Sequence, residues 1–390
     1  MILDKEFPPD ERVEKEAISL IENGHFITLL CLTYGNENSF EEYHGINIYR
    51  IYINKKLRNK IAATYLIFPF YRWFWKKHIN DIIKNHSIQA IHVHDLPLTD
   101  IAVKIKTQNN IKLICDQHEY YSNWINKTAH YNTKIGKVVK LLSNWRKYEK
   151  ENLSKADLVI TVEEPLKECY ISEVKICQSK IISLPNTPLL KYFTQNNIDN
   201  SITEKYKDNF NIFYAGGIDI LRGISTILKS LELLYNKIPE IKFIMAGKII
   251  KPFDLFDEIH KLKIEPYVDF VGWIPLNILP SYIAASNICI HVPPATHDEV
   301  NKTIATKIYQ YAAMNKFIIV GQAKMMKEFV TNNRLGVAIK ESDHNDLANK
   351  ILEYYNNYKT SSLYLDTKQV SANYFWESSV KVLIDAYNNL

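Results

Sequence analysis

Short apolar runs alternate with longer segments whose apolar residues recur every three or four positions, and this continues through almost the whole chain. The short runs Phe26–Leu32, Ile46–Ile51, Ala90–Val93, Ile111–Cys115 and Leu158–Thr161 are rich in β-branched residues and predict strands. After a polar segment at 191–209 comes a second series: Ile212–Ala215, Ile241–Ala246, Val268–Val271, Ile288–Val292 and Phe317–Val320. The helical pattern is clearest near the start. Asp10 follows Pro8-Pro9 as an N-cap, Val13, Ala17, Leu20 and Ile21 share one face, and Asn23-Gly24 ends the helix.

Strands that alternate with helices predict parallel sheets built from βαβ units. Two such blocks predict an α/β protein of two Rossmann-like, doubly wound domains, over residues 1–186 and 187–372. In the remaining segment, 373–390, Tyr374-Phe375-Trp376 and then Val380, Leu383, Ile384 and Tyr387 form an apolar stripe at helical spacing. The second domain's own sheet does not need that stripe, so this last helix is expected to cross back to the first domain. The first strand has only Met1-Ile2-Leu3 before a loop at Asp4–Pro9, so an abbreviated strand is expected, as if the natural start lay upstream.

Composition narrows the class. Hydrophobic residues are 46% and charged residues 23% of the 390, which excludes disorder. Five cysteines without CxxC spacing exclude a disulfide framework or zinc cluster. The net charge of +5 is too small to argue for nucleic acid, and no nucleic-acid partner is expected. Its placement says more. Residues 55–84 carry eight bases against Asp81, a net +7, interleaved with Tyr65, Phe68, Phe70, Tyr71, Trp73, Phe74 and Trp75. Lysines beside aromatics suit an anionic bilayer surface, with Trp73, Phe74 and Trp75 inserting shallowly; packing of part of this set into the core would explain the same pattern. A second basic run, 127–155, has a net +6. The start Met-Ile-Leu-Asp is no signal peptide, and the longest apolar stretch, Ile61–Tyr71, is about half of a bilayer span. The expected location is cytoplasmic, peripheral at the inner face of the cell membrane.

Doubly wound domains bind ligands at the carboxyl ends of their strands. The first domain offers His92, His94 and Asp95 after one strand and Asp116, His118 and Glu119 after the next. His92 is assigned to the opposite side of the strand from His94. Asp116, His118 and Glu119 read as a hydrogen-bonding cluster rather than a metal set, and no metal is expected. The second domain offers Gly216, Gly217 and Arg222, then Gly247. Paired glycines running into a helix near Gly223 suit a phosphate group, with Arg222 as a bidentate clamp. A tight turn with a surface arginine would explain the same string. No GxGxxG occurs, which disfavours a nicotinamide dinucleotide.

At this point the chain resembles the retaining family-4 glycosyltransferases of the GT-B fold. The resemblance is carried by Phe7–Ala17 with Asn23-Gly24-His25, His92–Pro97, Asp116–Glu119, Leu184-Pro185-Asn186, Gly216–Gly223, Phe270–Pro275 and Thr306–Tyr311. It implies a hexosyltransferase that moves a sugar from a nucleoside-diphosphate sugar to a glycan or lipid-linked acceptor in surface polysaccharide synthesis. It also implies retention of configuration, with no cofactor and no obligatory metal. Donor binding would fall to Gly216, Gly217, Arg222, Gly247, Lys307 and Gln310, and catalysis to His94 and Arg222. The acceptor side would be Asp10, Arg12, Asp95, His118 and Glu119. Two family glutamates align with Lys302 and Gln310, and Glu299 stands close enough to substitute for the first. These departures keep open a non-catalytic GT-B partner subunit, and the architecture alone would also suit a nucleotide-sugar epimerase.

Overall fold

The computed structural model describes residues 1–35, 37–125, 144–296, 300–359 and 374–390. Glu299 and most of the second basic run lie outside them. The chain forms two units: Met1–Pro185 with Ser379–Leu390, and Asn186–Ser378.

The first unit holds an eight-stranded sheet in the order β3-β4-β2-β1-β5-β6-β7-β8. Its strands are β1 (Ile2–Glu6), β2 (Thr28–Thr33), β3 (Phe40–Tyr43), β4 (Ile46–Tyr52), β5 (Ala90–His94), β6 (Lys112–Gln117), β7 (Leu158–Thr161) and β8 (Ile181–Ser183). Only β3 runs antiparallel, against β4. Strand order reverses between β1 and β5, so a crevice opens at their carboxyl ends. Strand β1 runs on to Glu6, through positions expected to be loop. The edge strands β3 and β8 were not expected; they are short and mostly half-exposed, so their pattern carries little signal.

Helix α1 (Glu11–Glu22) starts where Asp10 accepts a hydrogen bond from the Val13 amide, and it buries Val13, Ala17 and Leu20 as its spacing predicts. It also buries Arg12, Lys15, Glu16 and Ser19. A helix hidden on its polar side too must find partners for those groups, and the site described below supplies them. Helices α2 (Lys55–Ala63) and α3 (Phe70–Asn85) connect β4 to β5, and helix α4 (Thr99–Asn109) connects β5 to β6. Tyr65, Tyr71 and Trp75 pack under α2 and α3 with Leu30, Val93 and Ile101. The helix Lys381–Asn388 belongs to this unit and packs beside α1.

The second unit is an all-parallel, six-stranded sheet in the order β11-β10-β9-β12-β13-β14. These are β9 (Phe210–Ala215), β10 (Ile241–Ala246), β11 (Val268–Gly272), β12 (Ile288–His291), β13 (Phe317–Val320) and β14 (Gly336–Ala338). Its strands read as continuous apolar runs because both faces are covered. Ile212 and Tyr214 join one core with Ile227 and Phe243, while Phe213, between them, joins another with Ile308 and Ile318. The order reverses between β9 and β12, which makes the end of β9 the expected binding position.

Candidate active site

In the second unit β9 ends in Ala215-Gly216-Gly217, a single turn covers Ile220–Arg222, and the helix Ile224–Glu232 begins. Gly223 makes the corner. Its φ is 76°, and a Cβ there would lie 2.0 Å from the Val292 carbonyl oxygen. With glycine at the N-cap, no side chain caps that helix, which leaves its first amides and its positive dipole end for an anion. Gly216 is constrained by a different neighbour. A Cβ on it would come within 2.4 Å of Lys307 Nζ.

Lys307, in the helix Thr306–Ala313, lies over the Tyr214 ring, 4.2 Å from its centroid. Among the described residues neither Lys307 nor Arg222 has a carboxylate partner. Burial, and then the nearby Arg222 charge, pull the Lys307 ammonium well below its ordinary pKa. Two uncompensated cations beside a helix N-terminus define an anion site. Gln310 is buried one turn on from Lys307, on the same side of the helix. Two groups here were not expected from the sequence. Burial keeps His291, at the end of β12, neutral, and one oxygen of Asp219 is buried without a hydrogen-bond partner.

Next to this turn is a cavity of about 410 Å³ lined by Gly216, Gly217, Gly247, Lys248, Trp273 and Ile274. That is within the range of small-ligand pockets, about 300–1,000 Å³. A cavity of about 500 Å³ opens at the opposite, amino-terminal strand ends, among Phe210, Asn287, Phe317 and Tyr354. The strand-end rule and the paired cations favour the first.

In the first unit Asp116 is the hub. Arg12 holds both its carboxylate oxygens, Nε at 2.9 Å and Nη2 at 2.8 Å, and reaches the Leu184 carbonyl at 3.1 Å. His118 Nε2 meets Asp116 Oδ2 at 2.7 Å, and His94 Nδ1 meets the same oxygen at 3.2 Å. Burial would raise the Asp116 pKa, but Arg12 and His118 outweigh it and hold the carboxyl well below its usual range. The second nitrogen of His118 lies 3.2 Å from Asp95 Oδ1. Burial alone would lower the His118 pKa; the two aspartates outweigh it and raise it to about 9. His118 is therefore a fixed imidazolium, and its side chain is 22% exposed.

Three expectations need correction. His92 and His94 are two residues apart, which in a strand places them on the same face; their rings stack at 4.3 Å. His94 is only 1% exposed, so it acts on Asp116 rather than on a bound sugar. Arg12 is 3% exposed and fully engaged, so it ties α1 to β6 and makes no acceptor contact. Asp10 caps α1 and pairs with Lys5 at 2.6 Å. Glu119 receives the Tyr170 hydroxyl on its backbone carbonyl. The sequence gave no sign of Glu16 or Tyr387. Glu16 lies 3.0 Å from Arg12, and Tyr387, from the last helix, meets His92 Nδ1 at 2.6 Å.

Glu16, His92, His94 and Asp116 offer ligand atoms within 4.8 Å of one another, the grouping a metal ion would need. Both carboxylates are already engaged: Asp116 by Arg12 and His118, and Glu16 by Arg12. An added dication would leave a buried excess of positive charge, so the cluster is better described as a self-neutralised network.

Two family profiles match the chain: Glycosyltransferase Family 4 over residues 12–187 and Glycosyl transferases group 1 over residues 195–366. Together they take in most of its length, and the chain belongs to the group 1 glycosyltransferases of the GT-B type. No curated protein sequence matches it. Among solved structures it is similar to sucrose-phosphate synthase from Thermosynechococcus elongatus, with TM-score 0.76, 16% identity, and coverage of 100% of this chain and 97% of that one. It is also similar to HepE of Anabaena, solved with UDP and with UDP-glucose; against the UDP complex the values are 0.71, 13%, 100% and 99%. For WaaG, a glycosyltransferase involved in lipopolysaccharide biosynthesis, they are 0.69, 11%, 98% and 98%. At such identities these likenesses establish the fold.

Proposed function

We propose that this chain transfers a hexose-type sugar, with retention, from a nucleoside-diphosphate sugar to a glycan or lipid-linked acceptor in surface polysaccharide synthesis. One observation carries the donor reading: Arg222 and Lys307 stand without carboxylate partners at the turn Gly216–Gly223. A diphosphate would supply the missing charge there, and the cavity beside Gly247 and Trp273 has room for the nucleoside. HepE, which shares the fold, binds UDP and UDP-glucose.

In this reading the bond from the anomeric carbon to the diphosphate breaks while the acceptor hydroxyl adds on the same face. The hydroxyl proton passes to the departing phosphate oxygen. Arg222, Lys307 and the helix amides stabilise the charge that develops on the leaving group. The acceptor side is organised by His118, the partly exposed ring, with Asp95 and Asp116 fixing its orientation and His94 steadying Asp116 from behind. No cofactor or metal is invoked. With a lipid-linked acceptor the enzyme works peripherally at the membrane, as a WaaG-like role would require.

The test is a panel of nucleotide sugars assayed for diphosphate release with and without lipid-linked acceptors. Release that depends on acceptor supports the proposal. Tight nucleotide binding with no turnover on any donor would instead favour a non-catalytic partner subunit.

A further inference from the structure

The surface of α2 and α3 carries a feature that the donor and acceptor chemistry does not use. Phe68, Phe70 and Trp73 are 50%, 59% and 62% exposed, and Leu57 is 52% exposed. The aromatic three touch one another. Phe68 stacks on Phe70 at 6.2 Å, and Phe70 meets Trp73 edge-on at 5.8 Å. Helix periodicity explains why they are left outside: Tyr71 and Trp75 take the inward face of α3 and are fully buried. Phe74 lies half-buried against the Tyr71 ring, so Phe74 and Trp75 are not available to insert.

The basic residues of the same hairpin divide in two. Arg58 pairs with Asp4 and Arg72 with Asp100. Lys56, Lys60, Lys76 and Lys77 have no carboxylate partner among the described residues. An aromatic knob ringed by unpaired lysines suits the headgroup layer of an anionic leaflet. A second copy of this chain would bring two strongly positive surfaces together, which disfavours it as the occupant.

The position in the fold adds to this. The loop after β4 leaves the carboxyl edge of the sheet, and α3 must return to the amino edge to enter β5 at Ala90. The start of α3 therefore lies at the carboxyl edge. Two contacts hold it there: Arg72 and Tyr65 both reach Asp100, just past the end of β5. Asp95 and His118 stand at that same edge.

We infer that Phe68, Phe70 and Trp73, with Leu57, form a wedge that seats the first unit on an anionic bilayer, with Lys56, Lys60, Lys76 and Lys77 drawing it down. The acceptor-side residues then face the lipid surface on which a lipid-linked acceptor would stand. The inference rests on the transferase reading for its purpose, though not for its measurement.

The test uses the full chain with vesicles of phosphatidylcholine alone, or of phosphatidylcholine with phosphatidylglycerol, in sedimentation at about 0.1 M and about 1 M salt. Binding should require the anionic lipid and fall steeply with salt. Lys60→Glu, Lys76→Glu and Lys77→Glu combined should weaken it by at least ~100-fold, since each base near the surface is worth roughly a five-fold factor. Phe70→Ser with Trp73→Ser should remove whatever binding survives high salt. Vesicles should shift tryptophan emission to the blue, and Trp73→Phe should abolish the shift.

Equal binding to neutral vesicles, or no binding at low salt, would overturn the inference. So would a dimer in gel filtration that disappears with Phe70→Ser, because a second copy would then cover the patch. Nucleoside-diphosphate affinity, measured without vesicles, separates the two readings. If docking is absent and that affinity intact, the wedge is wrong and the transferase stands. Docking with no diphosphate affinity supports the wedge and rejects the donor site.

Discussion

Arg12 grips both carboxylate oxygens of Asp116, at 2.9 and 2.8 Å, where neither side chain meets solvent. The pair joins α1 to the end of β6, and the acceptor-side histidines are arranged around it. Breaking a buried pair leaves one charge without compensation and costs about 3–5 kcal/mol. Arg12→Met and Asp116→Asn should each lower unfolding free energy by that amount in urea titrations. A loss under about 1 kcal/mol, the size of a surface pair, would show that the network is not structural.

The pH dependence of stability should carry the signature of His118. Its pKa is raised from 6.5 to about 9, so the stability it contributes is fully present below pH 6.5 and lost as pH rises through about 9. His118→Asn should flatten the stability profile across that window. Asp95→Asn should bring the ring's titration, followed by NMR, back toward its ordinary value. A His118 that titrates near 6.5 in the native chain would contradict the two-aspartate clamp.

At the donor site Arg222→Ala should weaken nucleoside-diphosphate binding by about 1.5–3 kcal/mol, the range for hydrogen bonds to charged groups. Lys307 adds a proton signature. Burial and Arg222 depress its pKa in the free protein, and a bound diphosphate would raise it again. Above the depressed value, binding must then take up a proton. Affinity should fall with rising pH, and calorimetric heats should vary with the buffer's ionisation enthalpy. Lys307→Met should abolish that variation. Heats independent of buffer in the native chain would place the lysine outside the anion site.

Gly223→Ala tests the corner itself. The backbone there is left-handed, and the new Cβ would lie 2.0 Å from a backbone oxygen, so the turn must move. Left-handed backbone alone costs about 1–2 kcal/mol for a residue with a Cβ. We expect a lower melting temperature together with weakened diphosphate binding. Unchanged binding would remove the turn from the donor site.

Gln310→Glu asks whether this buried position contacts the donor. A carboxylate binds a diol more strongly than an amide does, so donor affinity should rise. No change in titration with a nucleotide sugar would leave Gln310 as a packing residue of the helix Thr306–Ala313.

The sequence by itself determined the alternation of strands and helices, both strand series, and the glycine turn at Gly216–Gly223. Those features are local. Apolar runs report burial on both faces of a strand, and a glycine corner reports a backbone that a Cβ would obstruct. Only the tertiary structure decided what each polar residue does. Arg12 and Glu16 sit in a helix whose spacing shows only Val13, Ala17 and Leu20 as buried, yet they are buried because β6 places Asp116 opposite them. His94 looks like a group that meets substrate, and the strand encloses it; His118, two residues past Asp116, is the ring left partly in solvent. Tyr387 joins His92 across almost the whole length of the chain. Such pairings depend on sheet order and crossover, which no local pattern encodes, and so the chemistry of the charged residues became readable only once the strands were in place.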